Sequence, residues 1–111
     1  MLARIHDDAV FKALGDGARR ILLDALYAED GQTLGALCGH LPAMTRFGVM
    51  KHLAVLEQAG LVVTHRAGRS KLHYLNAVPI REIHDRWIDK YAQPVAAAMA
   101  GLRAQLENRT A

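Results

Sequence analysis

Arg46, Phe47, Lys51 and His52 crowd into the first half of the stretch "TRFGVMKHLAVLEQAGL", Thr45 to Leu61. Val49, Leu53 and Leu56 recur at helical spacing and claim one side of that stretch for a core. The other side carries cations and a large aromatic ring, where a solvated helix would mix Glu with Lys. With those three residues turned inward, Phe47, Lys51, Ala54 and Gln58 face outward. Arg46 and Met50 lie on the exposed first turn and at the flank. Arg46 can reach guanine, Lys51 a base or a phosphate, and Phe47 or Met50 a thymine methyl. Free amides and the dipole at the N-terminal end of the helix, behind Thr45, favour phosphate as well. The plainer reading is a solvated helix. An apolar ring exposed beside cations speaks against it, since such a side chain marks a contact surface.

A second basic cluster follows. Arg66, Arg69 and Lys71 fall within six residues, bracket Gly68 and have no acid among them. His65 and His73 flank them. On a loop tip these cations would meet a phosphate backbone or a minor groove; a merely solvated turn is the alternative.

The elements that must position these clusters can be read along the chain. "DDAVFKALGD" predicts a first helix with Val10, Phe11 and Leu14 on one face and Gly15 at its end. A second follows from Asp16 as N-cap, with Ile21, Leu22, Ala25 and Leu26 as its buried stripe and Gly31 closing it. "QTLGALCGHLP" predicts a short third helix, starting near Thr33, apolar at Leu34, Leu37 and Leu41, and stopped by Pro42. After a tight connection, Thr45 caps the fourth helix, which runs to Ala59 with Gly60 free to take positive φ. "LVVTHRAGRSKLHYLNA" reads as a hairpin broken at Ala67-Gly68. From Pro79 the chain is helical again, apolar at Ile80, Ile83, Trp87, Tyr91, Val95, Ala98, Leu102 and Leu106, and interrupted or kinked at Pro94.

Two short helices joined by a turn and followed directly by a hairpin are the pattern of a winged helix-turn-helix. The predicted fold is mainly α: four helices, a two-stranded β-wing and a long C-terminal helix. The whole of 1–111 reads as one domain, with the helix-turn-helix at 31–60, the wing at 61–76 and the C-terminal helix at 79–108. A rigidly held helix fits the major groove, about 12 Å wide, and offers its first residues to the base edges.

Charge agrees with this reading. From Gly31 to Arg81 there are six bases and one acid, Glu57, whereas the rest of the chain holds eight bases and ten acids. A basic middle between acidic ends suggests a local anion-binding face. No apolar run approaches the roughly 20 residues that span a bilayer, and "MLARIHDDAVF" has no apolar signal core. The single cysteine, Cys38, permits no internal disulfide and suits a reducing cytoplasm.

The runs "ALGDGARRILLDAL", "LGALCGHL", "TRFGVMKHLAVLEQAGLV" and "HRAGRSKLHYLN" together resemble the ArsR/SmtB family of small homodimeric winged-helix transcriptional regulators. The resemblance covers residues 8 to 106 and is most specific from His52 to Leu75. It implies operator binding as a dimer and repression relieved by an effector. By position, Arg46, Phe47, Gly48, Met50 and Lys51 match the family's base-facing residues, with Thr45 and His52 beside them, and Arg66, Arg69 and Lys71 match its wing. Phe47, Gly48 and Met50 depart from the small hydroxyl residues common there, which implies a different operator.

Thiolate-sensing relatives resemble a pattern of paired cysteines on the third helix; Cys38 stands without a second, and His40, two residues on, points elsewhere. A small buried cysteine is the plainer reading. Glu82, His84, Asp85 and Asp89 begin the last helix, but no histidine follows them to complete the family's other metal site. His84 and Asp85 adjoin, and Asp16, Asp24 and Glu29 are spaced as an acidic face, but none is paired with a nucleophile, a phosphate loop or a metal cluster, so an enzyme is not expected. Gly31, Gly35 and Gly39 are read as aids to close helix packing.

The expected activity is sequence-specific binding of double-stranded DNA by a dimeric repressor, with no cofactor, no membrane and no recognisable metal site. A small-molecule effector stays open. A non-specific architectural or protein-interaction module, and a metal- or redox-responsive repressor with an unusual site, stay open as alternatives. The dimer interface is expected at Phe11, Ile83, Trp87, Tyr91, Val95 and Leu102, unless the last helix simply folds back on the core.

Overall fold

Three oxygen-bearing caps divide the N-terminal half into helices. Asp16 Oδ1 accepts from the amides of Ala18 and Arg19 at 2.8 and 3.2 Å, Thr33 Oγ1 from Ala36 at 3.2 Å, and Thr45 Oγ1 from Gly48 at 3.0 Å. Each satisfies an amide that the first helical turn leaves without a partner. In the computed structural model, which describes residues 2–110 and the side chains of 6–92 and 97–109, these caps open α2 (Gly17–Ala28), α3 (Leu34–Cys38) and α4 (Arg46–Gln58). Before them runs α1 (Leu2–Leu14), longer at its start than its apolar spacing predicted.

α4 ends as expected. Gly60 has φ +75°; its amide donates to Glu57 O at 3.0 Å, and that of Leu61 to Leu56 O at 2.9 Å. This is the glycine-terminated closure in which a left-handed residue turns the chain back onto the last carbonyls. It delivers the buried Leu61 and Val62 straight into β1 (Val62–Ala67), which pairs antiparallel with β2 (Ser70–Leu75) from Val62↔Leu75 to Ala67↔Ser70. Gly68, φ +62°, takes the first position of the two-residue turn, as a type II′ hairpin requires.

By contact the chain divides into two compact units, Met1–Pro79 and Ile80–Ala111. In the first, Val10 and Ala13 of α1, Leu22 and Leu26 of α2, Leu37 of α3 and Val49, Leu53 and Leu56 of α4 are buried with Leu41 and Leu61. The second contains most of α5 (Val78–Ile83), a π-type turn at His84–Ile88 and α6 (Asp89–Thr110). Regular α-helix breaks at that turn and runs on through Pro94.

Several sequence expectations need correction. The stripe of α2 is Leu22, Leu23, Ala25 and Leu26, while Ile21 is exposed. α2 stops at Ala28 rather than near Gly31. The reason lies outside the helix: Gln32 Nε2 donates to Ala25 O at 2.9 Å and to Glu29 O at 2.7 Å, closing its C-terminal end. α3 ends at Cys38, four residues before Pro42. Cys38 is half-buried rather than buried. A side chain at Gly35 would meet no helix backbone, so close packing does not explain that glycine.

Candidate nucleic-acid interface

α4 is held from behind by Val49, Leu53 and Leu56, each at most 3% exposed. Its opposite side presents Arg46, Phe47, Met50, Lys51, Ala54 and Gln58, all exposed. Phe47 is 65% exposed and Met50 48%. Lys51 Nζ stands 4.9 Å from the centroid of the Phe47 ring, one turn earlier on the same helix. Such cation–π contact draws a flexible ammonium and a ring into one patch.

The wing supplies the other side of a groove. Arg46, Met50, Ala54 and Glu57 of α4 face Arg69 and Lys71 of the hairpin across it. Lys71 Nζ lies 3.6 Å from Glu57 Oε1, so the one acid of the basic segment is already engaged with a wing lysine. Arg66 is exposed and directly opposite Lys71 in the strand register. Arg69 occupies the second position of the turn, exposed. Arg46 of the first basic cluster and Arg69 and Lys71 of the second therefore line one cleft, while Lys51 and Arg66 are exposed outside its lining.

Other predicted residues have different employment. His52 is half-buried; its Nδ1 lies 3.3 Å from Arg19 Nη1 and 3.9 Å from Asp16 Oδ1, on the side facing the start of α2. It does not belong to the outward face. Arg19 also donates from Nε to Ala13 O at 2.9 Å and from Nη2 to Lys12 O at 2.8 Å, capping the end of α1. The carboxyl of Asp16 is held below its ordinary range, chiefly by the Arg19 amide, against an opposing cost of burial that outweighs the smaller help from the Ala18 amide and the Arg19 guanidinium taken singly. Thr45 serves as the cap. Gly48 is partly covered by Met44, whose Cγ would stand 2.8 Å from any Cβ added there, so its lack of a side chain seats the connection between α3 and α4.

His73, expected to flank the wing tip, is 4% exposed. Its Nδ1 lies 2.9 Å from Gln32 O, an arrangement that needs the proton on Nδ1, and its backbone exchanges hydrogen bonds with Gln32. Asp30 Oδ1 accepts from Leu75 N at 2.7 Å, and Asn76 Nδ2 donates to Gly60 O at 2.9 Å. The wing is thereby tied to the α2–α3 connection and to the end of α4. Asp30, Gln32 and Asn76 carry no periodicity or motif that could have announced this role.

Two relatives match the chain in sequence. An uncharacterized HTH-type transcriptional regulator of Bacillus subtilis (strain 168), YuzN, is 40% identical over 89 residues, spanning 76% of this chain and 97% of its own. The transcriptional repressor SdpR of the same organism is 33% identical over 73 residues, 66% of this chain and 79% of its own. The solved structure of an ArsR-like transcriptional regulator from Rhodococcus sp. RHA1 superposes with a TM-score of 0.71 at 25% identity, over 94% of this chain and 93% of that one. The chain belongs to the ArsR family of helix-turn-helix transcriptional regulators. No family model matches it.

Within that family the fold is the winged helix-turn-helix: α3 and α4 form the helix-turn-helix, with α4 as its second helix, and β1–β2 form the wing. Phe11, Trp87, Tyr91 and Leu102, expected at a subunit interface, are exposed, whereas Ile83 is 1% exposed. The side chain of Val95 lies outside the described residues. Among the described residues, no three of His, Cys, Asp and Glu gather where they could share a metal ion. No described helix is long and apolar enough to cross a membrane.

Proposed function

We propose that the chain is a sequence-specific repressor that binds a palindromic operator as a homodimer. The observation that carries the reading is the single groove in which Arg46 and Met50 of α4 face Arg69 and Lys71 of the wing. α4 lies in the major groove, where Arg46 reads guanine through its O6 and N7 acceptors and Lys51 takes a base or phosphate. Arg66, Arg69 and Lys71 hold the backbone beside it, and the Lys71–Glu57 pair exchanges its carboxylate for phosphate on binding. With Lys71 exposed and Glu57 only half-buried, that pair is weakly held and readily exchanged.

Two copies associate through the exposed apolar side chains of the second unit, Trp87, Ile88, Tyr91, Met99, Leu102 and Leu106. Two recognition helices then meet successive major grooves about 34 Å apart, and the half-sites lie one helical turn or a multiple apart. Binding needs no metal in this reading; an effector, where one exists, acts by shifting the two helices relative to each other.

The test is fluorescence anisotropy on the duplex upstream of the protein's own gene and on duplexes selected from a random library, with chelator present. The reading expects a preference of roughly a thousandfold over scrambled DNA. Equal, salt-sensitive binding to every sequence would replace it with an architectural binder. Binding that appears only when metal is restored would replace it with a metal-dependent regulator.

A further inference from the structure

Phe47 and Met50 are large apolar side chains standing 65% and 48% exposed on the outward face of α4. They lie three residues apart, so their side chains are neighbours on the helix surface. Arg46 precedes Phe47 and lies four residues before Met50, and Lys51 Nζ sits 4.9 Å from the Phe47 ring centroid. The result is one apolar patch held between two cations, in a segment whose only acid, Glu57, already has a lysine partner. Cations alone would serve phosphate. An apolar patch among them needs an apolar feature on the polyanion, and the major groove offers one, the 5-methyl group of thymine.

Resting on the DNA-binding reading above, we infer that Phe47 and Met50 form a methyl-reading patch that makes thymine the preferred base at one or two positions of each half-site. The Lys51 contact restrains the ring before DNA arrives, which lowers the ordering cost of placing it against a methyl. Arg46 and the patch are neighbours on the helix, about 5–6 Å apart. With a base-pair rise of about 3.4 Å, the thymine lies within about two base pairs of the guanine that Arg46 reads.

The test uses a duplex obtained by selection from a random library with the full-length protein. Each thymine is replaced in turn by uracil, which removes the methyl and leaves every hydrogen-bonding group in place. At one or two positions per half-site the replacement should weaken binding about fourfold, the effect of uncovering one buried carbon. Those positions should lie within two base pairs of the one at which Arg46→Ala loses its preference. In Phe47→Ala or Met50→Ala the same replacement should have no further effect. Both side chains are exposed, so these variants stay folded, and circular dichroism checks that. Specific binding that is indifferent to uracil everywhere would overturn the inference and leave the DNA-binding reading standing. A uracil effect of equal size in both variants and the parent would also overturn it, since the methyl would then act through DNA shape. If no sequence is enriched at all, the DNA-binding reading fails first and carries the inference with it.

Discussion

Arg19 Nη1 approaches His52 Nδ1 to 3.3 Å, joining the first turn of α2 to the inner flank of α4. The contact uses the lone pair of Nδ1, with the ring proton on Nε2, and the same guanidinium closes the carbonyls of Lys12 and Ala13 at the end of α1. Three helices therefore meet at one arginine. His52→Ala should lower stability by about 1 kcal/mol, the usual net contribution of an intramolecular hydrogen bond. Thermal unfolding would measure that loss. Titration with a selected duplex should show base preference unchanged; a relaxed preference would return His52 to the DNA-facing side.

Asp16 stands in the same cluster and gives it a pH dependence of known sign. Its folded-state pKa lies below the ordinary value of 3.8, so the carboxylate form is favoured by folding. The stabilisation is fully present above that value and is lost as pH falls through the lower, folded one. Asp16→Ala should thus lower the melting temperature at neutral pH, and the gap between variant and parent should close below about pH 4. A gap that stays constant down to pH 2 would mean that the N-cap does not depend on the charge of Asp16.

α4 was legible because its limits and its face are both written locally: a hydroxyl cap at Thr45, a glycine at Gly60, and Val49, Leu53 and Leu56 between them. The hairpin was legible from Ala67-Gly68 for the same reason. What escaped depends on partners distant in sequence. In "RILLDAL" three apolar residues run together, and nothing local tells that Leu23 is buried while Ile21 is exposed. α2 ends where Gln32 reaches back to it, and His73 is buried because Gln32 bridges to it across 41 residues. His52 was within reach of the reading, since a residue three after Val49 and four before Leu56 lies at the border of the buried face.

Arg46 and Arg69 line one groove from opposite walls, and their roles should separate in solution. Arg46→Ala should cost about 1–3 kcal/mol on the preferred duplex and relax the choice of base at one position of each half-site. Arg69→Ala should weaken all duplexes alike and reduce the slope of log affinity against log salt by about one. Anisotropy titrations at several salt concentrations, with preferred and scrambled duplexes, distinguish the two. Equal behaviour of the two variants would remove the assignment of bases to α4 and backbone to the wing.

The second unit provides the last test. Among its described residues from Trp87 to Leu106 it exposes six large apolar side chains, and Leu102 is 48% exposed among them. A single exposed leucine replaced by aspartate changes the stability of a chain by no more than about 0.5 kcal/mol. The same replacement inside an interface buries an unpaired carboxylate and is far more costly. Leu102→Asp should therefore leave the melting of the first unit nearly unchanged and turn a micromolar dimer into a monomer by sedimentation velocity. Operator affinity should fall at least tenfold, because each half-site is then bound alone, while weak binding to scrambled DNA persists. A parent chain that sediments as monomer, or a variant that remains dimeric, would move the association surface away from this helix.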